Sequence, residues 1–152
     1  MTRSAAALSL LLVALCADAA PVQIDPLPRQ FIEPGCGCTF RTSSRQRQDA
    51  VVLRWAYADR RHAMMKLDGE VRRLSLVQEK RLPHARIQQG YGERLVLIFT
   101  DDVYRVEVPS SVTNSCAPGM PSCGPTRYQA RLIVRRRAEA PRVVDGSGVC
   151  GC

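Results

Sequence analysis

The stretch Ala63-Met64-Met65-Lys66-Leu67-Asp68-Gly69-Glu70-Val71-Arg72-Arg73-Leu74-Ser75-Leu76-Val77 places two runs on either side of an Asp-Gly pair. Ala63, Met65 and Leu67 fall on one face and Met64 and Lys66 on the other, the alternation of a half-buried strand. Asp-Gly between such runs is the strongest short-range hairpin signal, because a type I′ turn needs positive φ at both central residues. The segment is therefore read as two antiparallel strands joined by a tight turn.

The same alternation extends outward from the hairpin. Upstream, Leu53, Trp55 and Tyr57 alternate with Arg54 and Ala56 and predict another strand. A helix over 49–66 is the rival there, since Val52, Trp55, Ala56 and Asp59 also fit helical spacing. Downstream, 95–99 is apolar on both faces, as a central strand would be. Asp101-Asp102 turns the chain. Tyr104, Val106 and Val108 alternate again, and Tyr128, Ala130, Leu132 and Val134 form a further strand. Residues 142–144 and 149–152 are read as short final strands, and the polar, basic segment 42–48 as a loop. Seven to eight short strands without an amphipathic helix predict an all-β fold, an antiparallel meander closed into a small barrel or sandwich.

Two Cys-x-Cys units, Cys36-Gly37-Cys38 and Cys150-Gly151-Cys152, flank this predicted domain. Residues i and i+2 share one face of a strand. On neighbouring antiparallel strands, Cys36 opposite Cys152 puts Cys38 opposite Cys150. A shifted register gives the crossed pairs Cys36 with Cys150 and Cys38 with Cys152, and both pairings remain open. Gly35, Gly37, Gly148 and Gly151 are read as relief for crowding around the sulfurs. Cys116 and Cys123 bracket a loop in which Pro118-Gly119 favours a type II turn, so they are expected to meet. Cys36, Cys38, Cys116, Cys123, Cys150 and Cys152 are thus read as three structural disulfides. The alternative is a metal site of Cys36, Cys38, Cys150 and Cys152, since four thiolates hold zinc or copper(I).

Residues 1–20 read as a secretory signal: Arg3, an apolar run over 5–15, and Ala17-Asp18-Ala19 before the cleavage point. Acylation of Cys16 is the lipoprotein alternative, against which Val13-Ala14-Leu15 lacks the usual small residue next to the cysteine. No later segment is apolar enough to span a bilayer as a helix. Residues 21–35, with Pro21, Pro26, Pro28 and Pro34, read as an extended arm, and 36–152 as a single β domain. Export and paired cysteines point to an oxidising destination, the periplasm or the exterior of a bacterium.

The net charge is +8, and of the 22 basic residues all but Lys66 and Lys80 are arginines. Arginine is suited to carboxylate and phosphate, although a GC-rich genome produces the same bias. Arg135-Arg136-Arg137, the densest run, is the candidate anion-binding site; a solvated edge that discourages aggregation is its plainer reading. His62 and His84 have no partner at metal-ligand spacing. The chain has no Gly-x-Ser-x-Gly elbow, no phosphate-cradling glycine loop and no HExxH. No catalytic residue and no cofactor are therefore expected. Nucleic-acid binding would want exposed aromatics beside the arginines, whereas Trp55 and Tyr57 fall on a buried face.

The run Ala63 to Glu70, followed by Leu74 and Leu76, resembles the hairpin of small exported bacterial inhibitors of c-type lysozyme. That resemblance implies an eight-stranded barrel in which a cysteine on the first strand is bridged to one near the C-terminus. The inhibitory Ser-Gly-x-x-Tyr stretch has no counterpart, because the matching region is His84-Ala85-Arg86-Ile87-Gln88. The family's later Trp-x-Lys-Gly element is also absent, so no inhibitory residues carry over. The sequence leads to a non-enzymatic exported barrel that binds an envelope or host macromolecule, with an anionic envelope component suited to its charge. The alternatives are a periplasmic metal-binding protein and a structural envelope protein that contacts anionic surfaces.

Overall fold

In the computed structural model, Asp68 and Gly69 have φ values of 48° and 84°, the positive pair that a tight hairpin turn requires. Residues 20–32, 35–43, 50–82, 92–114 and 124–151 are described. They form β1 (Ile24–Asp25), β2 (Gly37–Thr42), β3 (Val51–Ala56), β4 (His62–Leu67), β5 (Glu70–Leu82), β6 (Arg94–Thr100), β7 (Tyr104–Asn114), β8 (Thr126–Arg136) and β9 (Arg142–Gly151). From β2 to β9 each strand pairs antiparallel with the next, and β2 pairs with β9. The result is a closed eight-stranded barrel. β1 adds a ninth strand on the edge of β4, at Lys66 and Leu67, just past the residues that β3 occupies.

The rival helix over 49–66 does not form. That span holds β3 and β4, joined by a 3-10 turn at Tyr57–Asp59, so Tyr57 leaves the strand in which alternation had placed it. β9 is one strand, not two short ones, and β5 runs on to Leu82 through a bulge between Leu76 and Gln78.

Alternation fills the interior. Phe40, Leu53, Met65, Leu67, Leu74, Leu97, Phe99 and Leu132 are fully buried. Trp55 meets Phe99 edge-on, with ring centroids 6.1 Å apart. These side chains form one buried cluster in the narrow interior of the eight strands. Phe40 lies opposite Gly148 in the β2–β9 ladder, and a Cβ on Gly148 would stand 2.7 Å from the Phe40 ring. That glycine therefore makes room for the aromatic ring, not for the sulfurs. The N-terminal arm is docked along the edges of β4 and β3. Its Val22 and Leu27 are buried, and the Leu27 N–H donates to the Val51 carbonyl at 2.7 Å.

The β2–β9 register settles one pairing left open by the sequence. Cys38 faces Cys150, and the two are joined by a disulfide with Cα atoms 4.0 Å apart. Cys36 is disulfide-bonded as well. The signal segment with Cys16, the Cys116/Cys123 loop, His84 and Cys152 lie outside the described residues. Among the described residues no helix is long and apolar enough to cross a membrane.

Candidate functional site

The arginine run sits where β8 ends and turns into β9, and strand alternation divides it. Arg136 pairs with Tyr104 and shares its inward face, while Arg135 pairs with Arg105 on the outside. Arg137 follows in the turn with φ 49°.

Arg136 is held at the barrel rim by several acceptors at once. Its guanidinium donates to Asp68 Oδ2 at 2.9 Å, to Glu139 Oε2 at 2.8 Å and to the Ala20 carbonyl at 2.7 Å. Asp68, the hairpin-turn residue, also accepts from the Tyr104 hydroxyl at 2.6 Å and from the Gln23 N–H at 2.7 Å. The Arg72 guanidinium lies over the Tyr104 ring, 5.5 Å from its centroid. One carboxylate thus gathers the β4–β5 turn, β7, the end of β8 and the N-terminal arm.

Burial alone would raise the Asp68 pKa. The hydrogen bonds from Tyr104 and Gln23 and the Arg136 charge outweigh it and hold the carboxyl below its ordinary value. Burial, and then the bond to Asp68, push the Tyr104 hydroxyl up. A carboxyl whose folded pKa is depressed stabilises the fold in full above its unfolded pKa of about 3.9, and that contribution is lost as pH falls through the lower folded value. The stability gap between the protein and an Asp68→Asn variant, read by urea unfolding, is therefore expected to be constant near neutrality. It should shrink once the pH drops below about 4. Asparagine keeps the turn because it tolerates positive φ.

With Arg136 so engaged, the neighbouring cations stand apart. Arg135, Arg137 and Arg142 are exposed and have no carboxylate partner among the described residues. Arg105, across from Arg135, pairs with Glu107 at 3.0 Å. Asp59, Asp68, Glu70, Glu79, Glu107, Glu139 and Asp145 each already bind an arginine. The excess positive charge therefore remains on side chains such as these. Two like charges directly opposite on neighbouring strands, as Arg105 and Arg135 are, repel and favour an anion between them.

A second cluster has no counterpart in the sequence reading. His62 Nδ1 lies 2.9 Å from Asp59 Oδ1, and Arg73 donates to Asp59 Oδ2 at 2.7 Å. The 3-10 turn at Tyr57–Asp59 folds Asp59 back onto His62, and the three-residue spacing was the available signal. The hydrogen bond from His62, followed by that from Arg73, holds the Asp59 carboxyl below its ordinary value. The cluster borders a cleft of about 630 Å³ lined also by Phe31, Met64 and Arg54. Among the described lining residues there is no hydroxyl, and Cys36 is disulfide-bonded, so the His-Asp pair faces no nucleophile.

Of the four sulfurs in the metal reading, those of Cys36, Cys38 and Cys150 are engaged in disulfides. No group of three or more His, Cys, Asp or Glu residues able to hold a metal ion occurs among the described residues. No protein-family model matches the chain, and neither a curated protein nor a solved structure proves similar to it.

Proposed function

We propose that this chain is an exported binding protein, not an enzyme, and that it holds an anionic envelope macromolecule against the outside of its barrel. The observation that carries this reading is the β8–β9 hairpin. Arg135, Arg137 and Arg142 project there without carboxylate partners among the described residues, on a backbone that Arg136 pins to Asp68 and Glu139. The burial of Phe40, Phe99 and Leu97 in the interior and the exposure of the arginines support an external site. The signal-like first twenty residues support export, and the Cys38–Cys150 bond is compatible with an oxidising compartment. The structural-envelope alternative uses the same surface.

Co-sedimentation with phospholipid vesicles tests the proposal. The protein is expected to bind vesicles rich in anionic phospholipid, to ignore zwitterionic ones, and to release as salt rises and the Debye length falls below about 10 Å. Each arginine near such a surface contributes about 1 kcal/mol, so an Arg135→Ser/Arg137→Ser/Arg142→Ser variant should bind about a hundredfold more weakly. Equal binding to zwitterionic vesicles, insensitivity to salt, or a triple variant that binds as before would each end it.

The lysozyme-inhibitor resemblance supplies a second reading, favoured by the covalent bridge between β2 and β9. The charge of +8 weighs against it, since c-type lysozymes are themselves cationic. Failure to slow lysozyme at micromolar excess would close that reading.

A further inference from the structure

β5 is 13 residues long, while β4, its neighbour on one side, has only 6. β4 pairs with Glu70 through Ser75, and β6 takes Ser75 through Leu82 on the other side. The last contact on the β4 side is the Leu76 N–H donating to the Arg61 carbonyl at 2.6 Å. Beyond it, the edge of β5 that faces away from β6 makes no backbone hydrogen bond among the described residues. The N–H and C=O groups of Val77 to Leu82 that point away from β6, about half of the total, are thus unpaired among the described residues, inside an otherwise closed barrel.

The side chains along this edge have a definite character. Val77 is 56% exposed and Leu82 38%, two of the three exposed large hydrophobic residues among the described residues. The bulge at Val77 changes the phase of the strand. Glu79 and Arg81 then lie on the core side, opposite Leu97 and Leu95, and pair with each other at 3.1 Å. Lys80 points outward, opposite Val96. Arg60 and Arg61, both exposed, stand at the start of the edge, where β4 begins. The side chains of Lys80, Arg60 and Arg61 have no carboxylate partner among the described residues.

We infer that the Val77–Leu82 edge takes up an extended acidic segment of a partner protein by strand addition. Main-chain hydrogen bonds to β5 supply the affinity, and alternate side chains supply the selection. Carboxylates of the incoming segment meet Lys80, Arg60 and Arg61, and its alternate apolar residues fall on the opposite face, on the side of Glu79 and Arg81. A second copy of this chain suits the edge poorly. Antiparallel pairing centred on Lys80 would set two Lys80 side chains opposite each other, and both copies carry +8. The bulge and the lysine therefore guard against self-stacking and leave the edge open to a segment of opposite charge. This surface is distinct from the β8–β9 hairpin, so either proposal can fail without the other.

The probe is a fluorescein-labelled hexapeptide that alternates glutamate and valine, titrated against the full chain and followed by polarisation. A control peptide of the same charge carries proline in place of its central valine, which removes one backbone donor. The alternating peptide is expected to bind in the micromolar range and to slow amide exchange within 77–82, and the proline peptide to bind about tenfold more weakly or worse. Lys80→Glu, at an exposed position, should weaken the alternating peptide by about tenfold as well. Equal affinity for the two peptides would mean charge attraction alone and would overturn the inference. So would the absence of binding, protection elsewhere in the barrel, or a concentration-dependent dimer that protects 77–82 without peptide.

Discussion

Full reduction of the disulfides is expected to lower stability toward urea by about 4–5 kcal/mol. The Cys38–Cys150 bond spans a sequence separation of 112 residues, and in the chain-entropy model a loop of that size is worth about 4.7 kcal/mol. The gain arises in the unfolded state, whose first and last barrel segments cannot drift apart while the bond stands. Reduction should therefore also raise the slope of the unfolding curve, since a freer chain exposes more surface. A Cys38→Ala/Cys150→Ala variant separates the share of this bridge from that of the bond at Cys36. Unchanged midpoint and slope after complete reduction, verified by thiol titration, would show that the sulfurs contribute nothing to stability.

Phe40→Ala is expected to cost about 3–5 kcal/mol, because the ring is fully buried and its neighbours relax only in part around the space left behind. Gly148→Ala attacks the same contact from the other strand. The new methyl group would sit 2.7 Å from the ring, and overpacking of this kind costs about 1–3 kcal/mol. The two changes oppose each other, one emptying the space and the other filling it. The Phe40→Ala/Gly148→Ala pair should accordingly be less damaging than the sum of the single variants, with a coupling of about 1 kcal/mol or more in urea unfolding. Additive effects would show that Gly148 is not matched to Phe40.

The hairpin at Asp68-Gly69 was legible because turn chemistry and alternation there act over a few adjacent residues. β6 and β7 were legible for the same reason. β9 was not: Asp145-Gly146-Ser147-Gly148 carries the composition of a break, yet it stays in strand because the absent side chains admit Phe40 and the Arg41 backbone across the ladder. The far half of β5 was hidden by the bulge at Val77, which exchanges its two faces and puts Glu79 and Arg81 where a reader expects apolar residues. The sulfur pairing depends on register between the first and last barrel strands, which no local spacing encodes.

The candidate site divides in the same way. Three consecutive arginines announce positive charge, but only the ladder to β7 shows that the middle one turns inward beside Tyr104. The second role of Asp68, as anchor for the N-terminal arm and Arg136, joins residues far apart in the chain and leaves no local pattern. The Asp59–His62 pair was closer to hand, since a three-residue separation is short. It required the 3-10 turn at Tyr57–Asp59, where the alternation had suggested a strand.

The covalent link between β2 and β9 has a mechanical consequence. Tension applied to the chain on the N-terminal side of Cys38 and the C-terminal side of Cys150 runs from one strand to the other through sulfur. The other strands lie outside that line of force. A molecule tethered by its two ends would bear the pull on a bond that does not yield, while the ladders of the barrel stayed unloaded.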